Sequence, residues 1–166
     1  ALGHRRNSAH LLDFSEVLNR GEGIIKEVGV NLIRGDSISI SNEAPSDLIP
    51  YWDLIFTEGD EPRDSSSASI VACGFLEAAD SYERLAEDKK AEYYRSWAAQ
   101  LVKSLYDSYR VLPNSGSNGL VLHGTYSKKT PYNTCTPEGV YECVSWGDYY
   151  YLEALMRLGG NWVNPW

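Results

Sequence analysis

The clearest periodicity in the chain lies at residues 88–112. Ala91, Tyr94, Ala98, Leu101, Leu105, Tyr109 and Leu112 recur every three or four positions, while Glu92, Arg95, Lys103, Asp107 and Arg110 fall mostly elsewhere. That spacing draws one apolar stripe along a helix and leaves one side wet. It predicts a helix over 88–112, ended by Pro113 and Gly116. Residues 65–84 differ. Ala68, Ile70, Val71, Ala72, Cys73, Phe75, Leu76, Ala78 and Ala79 nearly circle the axis, the mark of a helix covered on most sides. Asp64 or Ser65 stands where an N-cap is needed, because a short side-chain oxygen can accept an unused N–H of the first turn.

A third helix is predicted at about 146–158, stopping at Gly159 and Gly160. It carries Tyr149, Tyr150 and Tyr151 in a row. Neighbouring helical positions point about 100° apart, so these rings pack on several faces. Its lead-in, Ser145-Trp146-Gly147-Asp148, sets polar and aromatic groups at the positive end of the helix. Such ends hold anionic or hydroxylated ligands, although a buried aromatic cluster gives the same sequence. Between the helices, residues 113–144 read as a long loop around the apolar island Leu120-Val121-Leu122; loops of this length are functional or disordered. Residues 42–62, with Pro45, Pro50, Gly59 and Pro62, also read as loop. Earlier signals are weak. Leu11, Phe14, Val17 and Leu18, then Ile24, Ile25, Val28, Leu32 and Ile33, suggest two short helical patterns broken at Gly21 and Gly23. Residues 37–41 alternate like a strand or an extended linker. The pattern as a whole is that of an all-α protein.

A length of 166 residues fits one domain able to bury a core. The net charge of −8 argues against nucleic acid or an anionic membrane as partner, since both need a basic surface. An anionic sugar would have to meet local cations. Twelve Tyr and five Trp offer flat platforms for sugar rings, or simply fill a core. Cys73, Cys135 and Cys143 lack zinc-ligand spacing, so no metal is expected. Cys73 reads as a small buried thiol, and a bridge between Cys135 and Cys143 stays open. Reduced thiols point to the cytoplasm. No apolar stretch is long enough to span a bilayer. The start at Ala1 shows neither an initiator Met nor the apolar core of a signal peptide, and reads as a processed chain or a fragment.

Four ordered motifs add a resemblance: Pro50-Tyr51-Trp52-Asp53, Arg63-Asp64-Ser65-Ser66-Ser67-Ala68, His123-Gly124-Thr125-Tyr126, and the run from Ser145 to Leu155, before a close on Trp162 and Pro165-Trp166. The series resembles the C-terminal part of the unsaturated glucuronyl hydrolases, glycoside hydrolase family 88, over about residues 45–166. Residues 1–44 remain an unassigned, weakly helical segment. The resemblance implies an (α/α)6 toroid of six helical hairpins, of which this chain supplies about half. A covered, a one-sided and a second covered helix fit the inner–outer–inner order of such a ring.

The resemblance further implies action on unsaturated uronic-acid oligosaccharides left by polysaccharide lyases. In that family an Asp protonates C4 of the 4,5 double bond, water adds at C5, and the resulting hemiketal opens. The acids assigned to this step lie in a part of the family sequence with no match here, so no residue is assigned to catalysis. No cofactor is implied. Substrate-binding candidates are Trp52 and Trp146 as platforms, Arg63 for a carboxylate or for pairing with Asp64, and Tyr126 near the sugar. Ser127 and Lys129, with Lys128 between them, resemble a loop that grips a sulfate; a solvated basic loop is the plainer reading. Asp64 serves equally as a cap, Asp148 as a first-turn acid that steadies the helix dipole, and His123 as a spacer in the turn at Gly124 or as a general base. Two alternatives stand beside the hydrolase: an inactive fragment that binds sugar or self-associates, and a related unsaturated rhamnogalacturonyl hydrolase. A homo-oligomer or a complementary half-domain would complete the ring, burying Phe75, Leu76 and Leu155.

Overall fold

The computed structural model describes residues 45–53, 56, 58–134, 136 and 138–163. The patterns read at 1–44 and the Cys135–Cys143 question lie outside these residues. Helix α1 spans Ser65–Arg84, α2 Asp88–Ser104 and α3 Ser145–Leu158. No strand occurs among the described residues, only isolated antiparallel bridges.

Helix α1 begins at its expected cap. Asp64 is extended, and its side chain accepts the Ser66 N–H. Only a short turn separates Arg84 from Asp88, with Ala86 in the left-handed region at φ 58°. So short a link forces α1 and α2 side by side and antiparallel. Phe75, Leu76, Ala79 and Tyr82 of α1 are buried together with Ala91, Tyr94, Ala98 and Leu101 of α2. Tyr94 is the hinge of this aromatic packing. It stacks on Tyr82 at 5.4 Å and meets Phe75 at 5.9 Å between ring centroids. The stripe read from the sequence is thus the buried face of α2.

That helix ends earlier than its pattern. Leu105–Tyr109 forms a π-helical turn, and Arg110 is extended at φ −67°, ψ 146°. The backbone there is claimed by a different partner. Tyr109 O accepts the Leu122 N–H at 2.7 Å, and the Val111 N–H donates to Leu120 O at 2.8 Å. The long 113–144 segment is correspondingly not a free loop. It is bridged to Arg110 at Val121 and folded on itself at Gly124–Glu142 and Ser127–Gly139.

Helix α3 packs on α1 and runs in the same direction. Its first turn meets the first turn of α1, and Arg157 near its end donates to Glu77 of α1 at 3.0 Å and lies 3.5 Å from Asp80. Arg157 also donates to the buried Glu153 at 2.9 Å. The same helix departs from expectation on its other side. Tyr149, Leu152, Leu155 and Met156 are exposed, so α3 is not covered all round by the described residues. Phe75 and Leu76, expected at an intermolecular contact, are already buried beneath α2. No described helix is long and apolar enough to cross a membrane.

Candidate functional site

The N-terminal turns of α1 and α3 converge, and the sequence explains how. Gly147 sits in the first turn of α3, where a Cβ would lie 3.1 Å from Ser66 Cβ and from Val144 Cγ2. Only glycine admits the two helices this close without a shift of one of them. Trp146, beside it, donates its ring N–H to Ser66 Oγ at 3.1 Å, and Ser66 Oγ donates to Asp64 at 2.6 Å. Two positive helix ends therefore face the same region.

The segment 120–127 is laid across these ends. His123 O accepts the Ser65 N–H at 3.0 Å, and Leu122 O accepts the Ser65 hydroxyl at 2.6 Å. Asp64 accepts from the Ser66 and Thr125 N–H groups and from the Ser66 and Ser67 hydroxyls. Asp148 accepts the Leu120 and Val121 N–H groups at 3.0 and 2.9 Å. Both acids thus act as staples between helix and loop, a role beyond simple capping that no local sequence signal showed for Asp148.

Tyr126 and Trp146 form the open aromatic surface. Their rings meet edge to face at 5.6 Å and are 52% and 43% exposed, enough for a ligand to cover. Tyr126 lies flat over Gly139, where any Cβ would overlap its ring. Its hydroxyl donates to Glu142 at 3.4 Å. Glycine at 139 is thus a spatial requirement, set by a residue thirteen positions earlier.

The basic loop follows directly. The Ser127 and Gly139 backbones pair at 2.8 and 3.3 Å, and Asn133 donates to Ser127 Oγ at 3.5 Å and Lys128 O at 3.1 Å. Lys128 Nζ donates to Glu61 at 2.6 Å, and the same oxygen accepts the Trp52 ring N–H at 3.2 Å. The Lys128 hydrogen bond is the main cause that holds the Glu61 carboxyl below the usual range. The Lys129 N–H donates to Glu138 at 2.6 Å, and its side chain is exposed with no ion pair among the described residues. Trp52 is thus connected through Glu61, Lys128 and Asn133 to Ser127, while Tyr126 and Trp146 form a separate ring contact and Lys129 is held through its backbone. The acids Glu61, Glu138 and Glu142 were not singled out in the sequence, because each acts across a loop.

Arg63 serves a different purpose. It donates to Ile49 O at 2.7 Å, sits 3.6 Å from Asp47 and lies over the Tyr51 ring at 4.2 Å. It binds segment 47–51 rather than pairing with Asp64. Tyr109 reinforces that contact by donating to Asp47 at 2.6 Å. His123 is wedged edge-on between Tyr109 and Tyr141, at 5.5 and 5.1 Å. Burial lowers its pKa from 6.5. Its backbone lies in the left-handed region at φ 67°. Cys73 donates to Tyr150 O at 3.2 Å, and burial pushes its thiol up to about 12, which makes it a poor nucleophile. No group of three His, Cys, Asp or Glu among the described residues could hold a metal. The arrangement suits stacking and hydrogen bonding of a hydroxylated ring.

No protein-family model matches the chain. The unsaturated chondroitin disaccharide hydrolase of Streptococcus agalactiae serotype III (strain NEM316) is 36% identical over 136 residues, 81% of this chain and 32% of the relative. The unsaturated glucuronyl hydrolase of Bacillus sp. (strain GL1) is 34% identical over 123 residues, 74% of this chain and 30% of the relative. Among solved structures, the unsaturated glucuronyl hydrolase from Streptococcus agalactiae superposes with TM-score 0.60 at 36% identity, covering 75% of this chain and 30% of that one. The Bacillus sp. GL1 enzyme gives 0.59 at 32% identity, covering 70% and 29%. These neighbours are (α/α)6 toroids, and the described helices are part of such a ring. The chain spans about a third of the length of the curated relatives it matches.

Proposed function

We propose that this chain, a homologue of the unsaturated glucuronyl hydrolases of glycoside hydrolase family 88 over about a third of their length, supplies the sugar-gripping end of such a hydrolase. The substrate class is an unsaturated uronic-acid oligosaccharide, and the reaction is hydration of its 4,5 double bond. The observation that carries this reading is the exposed Tyr126–Trp146 surface above two converging helix N-termini. In this reading Trp146 and Tyr126 stack against the sugar, while Ser127 and Lys129 reach an oxyanion beside it. Trp52 borders the loop, and Arg63 acts from behind by fixing segment 47–51. The partners are the oligosaccharide and, along the outward row Leu152, Leu155 and Met156, the rest of a helical ring, from a complementary half-domain or a second copy.

One observation favours binding without turnover by these residues alone. Asp64 and Asp148, the acids at the helix ends, are occupied as hydrogen-bond acceptors from backbone and hydroxyl groups. Neither is presented as a proton donor to a double bond.

Titration calorimetry with an unsaturated chondroitin disaccharide and its saturated counterpart tests the reading. Binding of the unsaturated sugar, weakened by Trp146→Ala and by Tyr126→Ala, is the expected result. Absence of binding, or binding indifferent to both substitutions, would refute it.

A further inference from the structure

Two lysines adjoin Ser127, yet they are not equivalent. Lys128 and Glu61 make a 2.6 Å ion pair, with side chains 32% and 29% exposed. A pair this sheltered is screened less than one in open water. The same Glu61 oxygen holds Trp52 in place at 3.2 Å. Glu61 lies 67 positions away in sequence, at the end of the segment that leads into α1. Lys129 instead has an exposed side chain, and among the described residues only its backbone is engaged, by Glu138. Lys128 and Lys129 therefore differ in the charge they can offer a ligand. An anion approaching Lys128 must either break the ion pair or accept the nearby carboxylate, and like charges at that range repel.

We propose that Glu61 is a specificity-determining residue: by neutralising Lys128 it limits the loop to one available cation, Lys129, and restrains the preference for sulfated sugars. The inference rests on the sugar-binding reading above. It adds a residue to that site and assigns Lys128 a structural place, not a ligand-binding one. Repulsion built into a site is a recognised way to set selectivity. The lowered pKa of Glu61 is in keeping with a carboxylate that stays charged across the neutral range.

The test compares unsulfated and monosulfated forms of an unsaturated chondroitin disaccharide on the full chain. Glu61→Gln keeps an oxygen acceptor for the Trp52 N–H and removes the charge. It is expected to raise affinity for the sulfated sugar about five- to tenfold and to leave the unsulfated one within about twofold. Lys128→Met alone leaves the Glu61 charge unneutralised beside the loop and should weaken the sulfated sugar, and in the Glu61→Gln background it should abolish the gain. A thermal melt of each variant checks that it is folded. An unchanged ratio between the two sugars in folded Glu61→Gln would overturn the proposal, as would a gain that survives when Lys128→Met is added to Glu61→Gln. A wild-type chain that binds neither sugar would instead sink the underlying functional reading, and this proposal with it.

Discussion

The Asp148 carboxylate accepts the backbone N–H of Val121 at 2.9 Å, twenty-seven positions away and across the gap between α3 and the long loop. Val121 is buried, so its N–H has no ready water to replace that acceptor. Asp148→Ala should cost about 1–3 kcal/mol of stability, the range for an orphaned buried donor. Urea unfolding measures it. Amide exchange at Leu120 and Val121 should quicken well before the α1 and α2 core does. A loss spread evenly over all three helices would contradict the staple.

Gly139 should be intolerant for a reason visible only in three dimensions. In Gly139→Ala the new methyl takes space now filled by the Tyr126 ring, which must then leave its place beside Trp146. Affinity for the unsaturated disaccharide should fall roughly tenfold, as expected for losing about one aromatic contact. Far-UV circular dichroism should not change, since residue 139 lies outside the three helices. Undiminished binding would mean that the Tyr126 ring is not part of the platform.

Turnover is expected to separate from binding. The 4,5 double bond absorbs in the ultraviolet, and hydration removes that absorbance. The chain by itself should bind the disaccharide yet leave the absorbance unchanged, because Asp64 and Asp148 are engaged as acceptors. Steady decay of the signal at catalytic enzyme concentrations would reverse this view and direct attention to the acids at positions 53, 64 and 148.

Stability should depend on His123 below neutrality. Burial lowers its folded pKa from the unfolded value of 6.5, so the unfolded chain takes up the proton first. Its contribution is therefore complete above pH 6.5. It is lost as pH falls from there to the folded pKa. His123→Asn, which tolerates the positive φ, should flatten that part of the stability–pH curve. An imidazole titration by NMR at or above 6.5 in the folded chain would rule the effect out.

How far the sequence reached depended on the range of the interaction. Helix α1 was legible at both ends, because a cap such as Asp64 acts on the N–H groups next to it. The buried stripe of α2 and of the π-helical turn after it was equally legible from Ala91 to Tyr109. Its last turn was not: Leu112 keeps the period, but Tyr109 and Val111 pair with residues 120–122, and no helical period encodes that competition. The same limit hid Glu61 from the reading of the basic loop and the Leu120–Val121 staple from the reading of Asp148. Trp146 and Tyr126 were named as separate candidates. Their contact depends on Gly139 and Gly147, two positions whose lack of a side chain decides the geometry. Among the described residues α3 is open at Leu152, Leu155 and Met156; for Leu155 this matches the face expected to await a partner, while a run apolar on every face does not say what lies opposite the rest.

Helices α1 and α3 are fastened to each other at two places: Trp146 and Gly147 against Ser66 near their starts, and Arg157 on Glu77 towards their far ends. Two rods joined at two separate points along their length can neither scissor nor slide without breaking one of these contacts. If the aromatic surface takes a sugar as proposed, that ligand meets a floor already fixed and loses little affinity to ordering it. In the proposed reading, adaptation to different sugars is left to the walls, residues 126–134, whose replacement or lengthening would retune recognition while the two rods stay as they are.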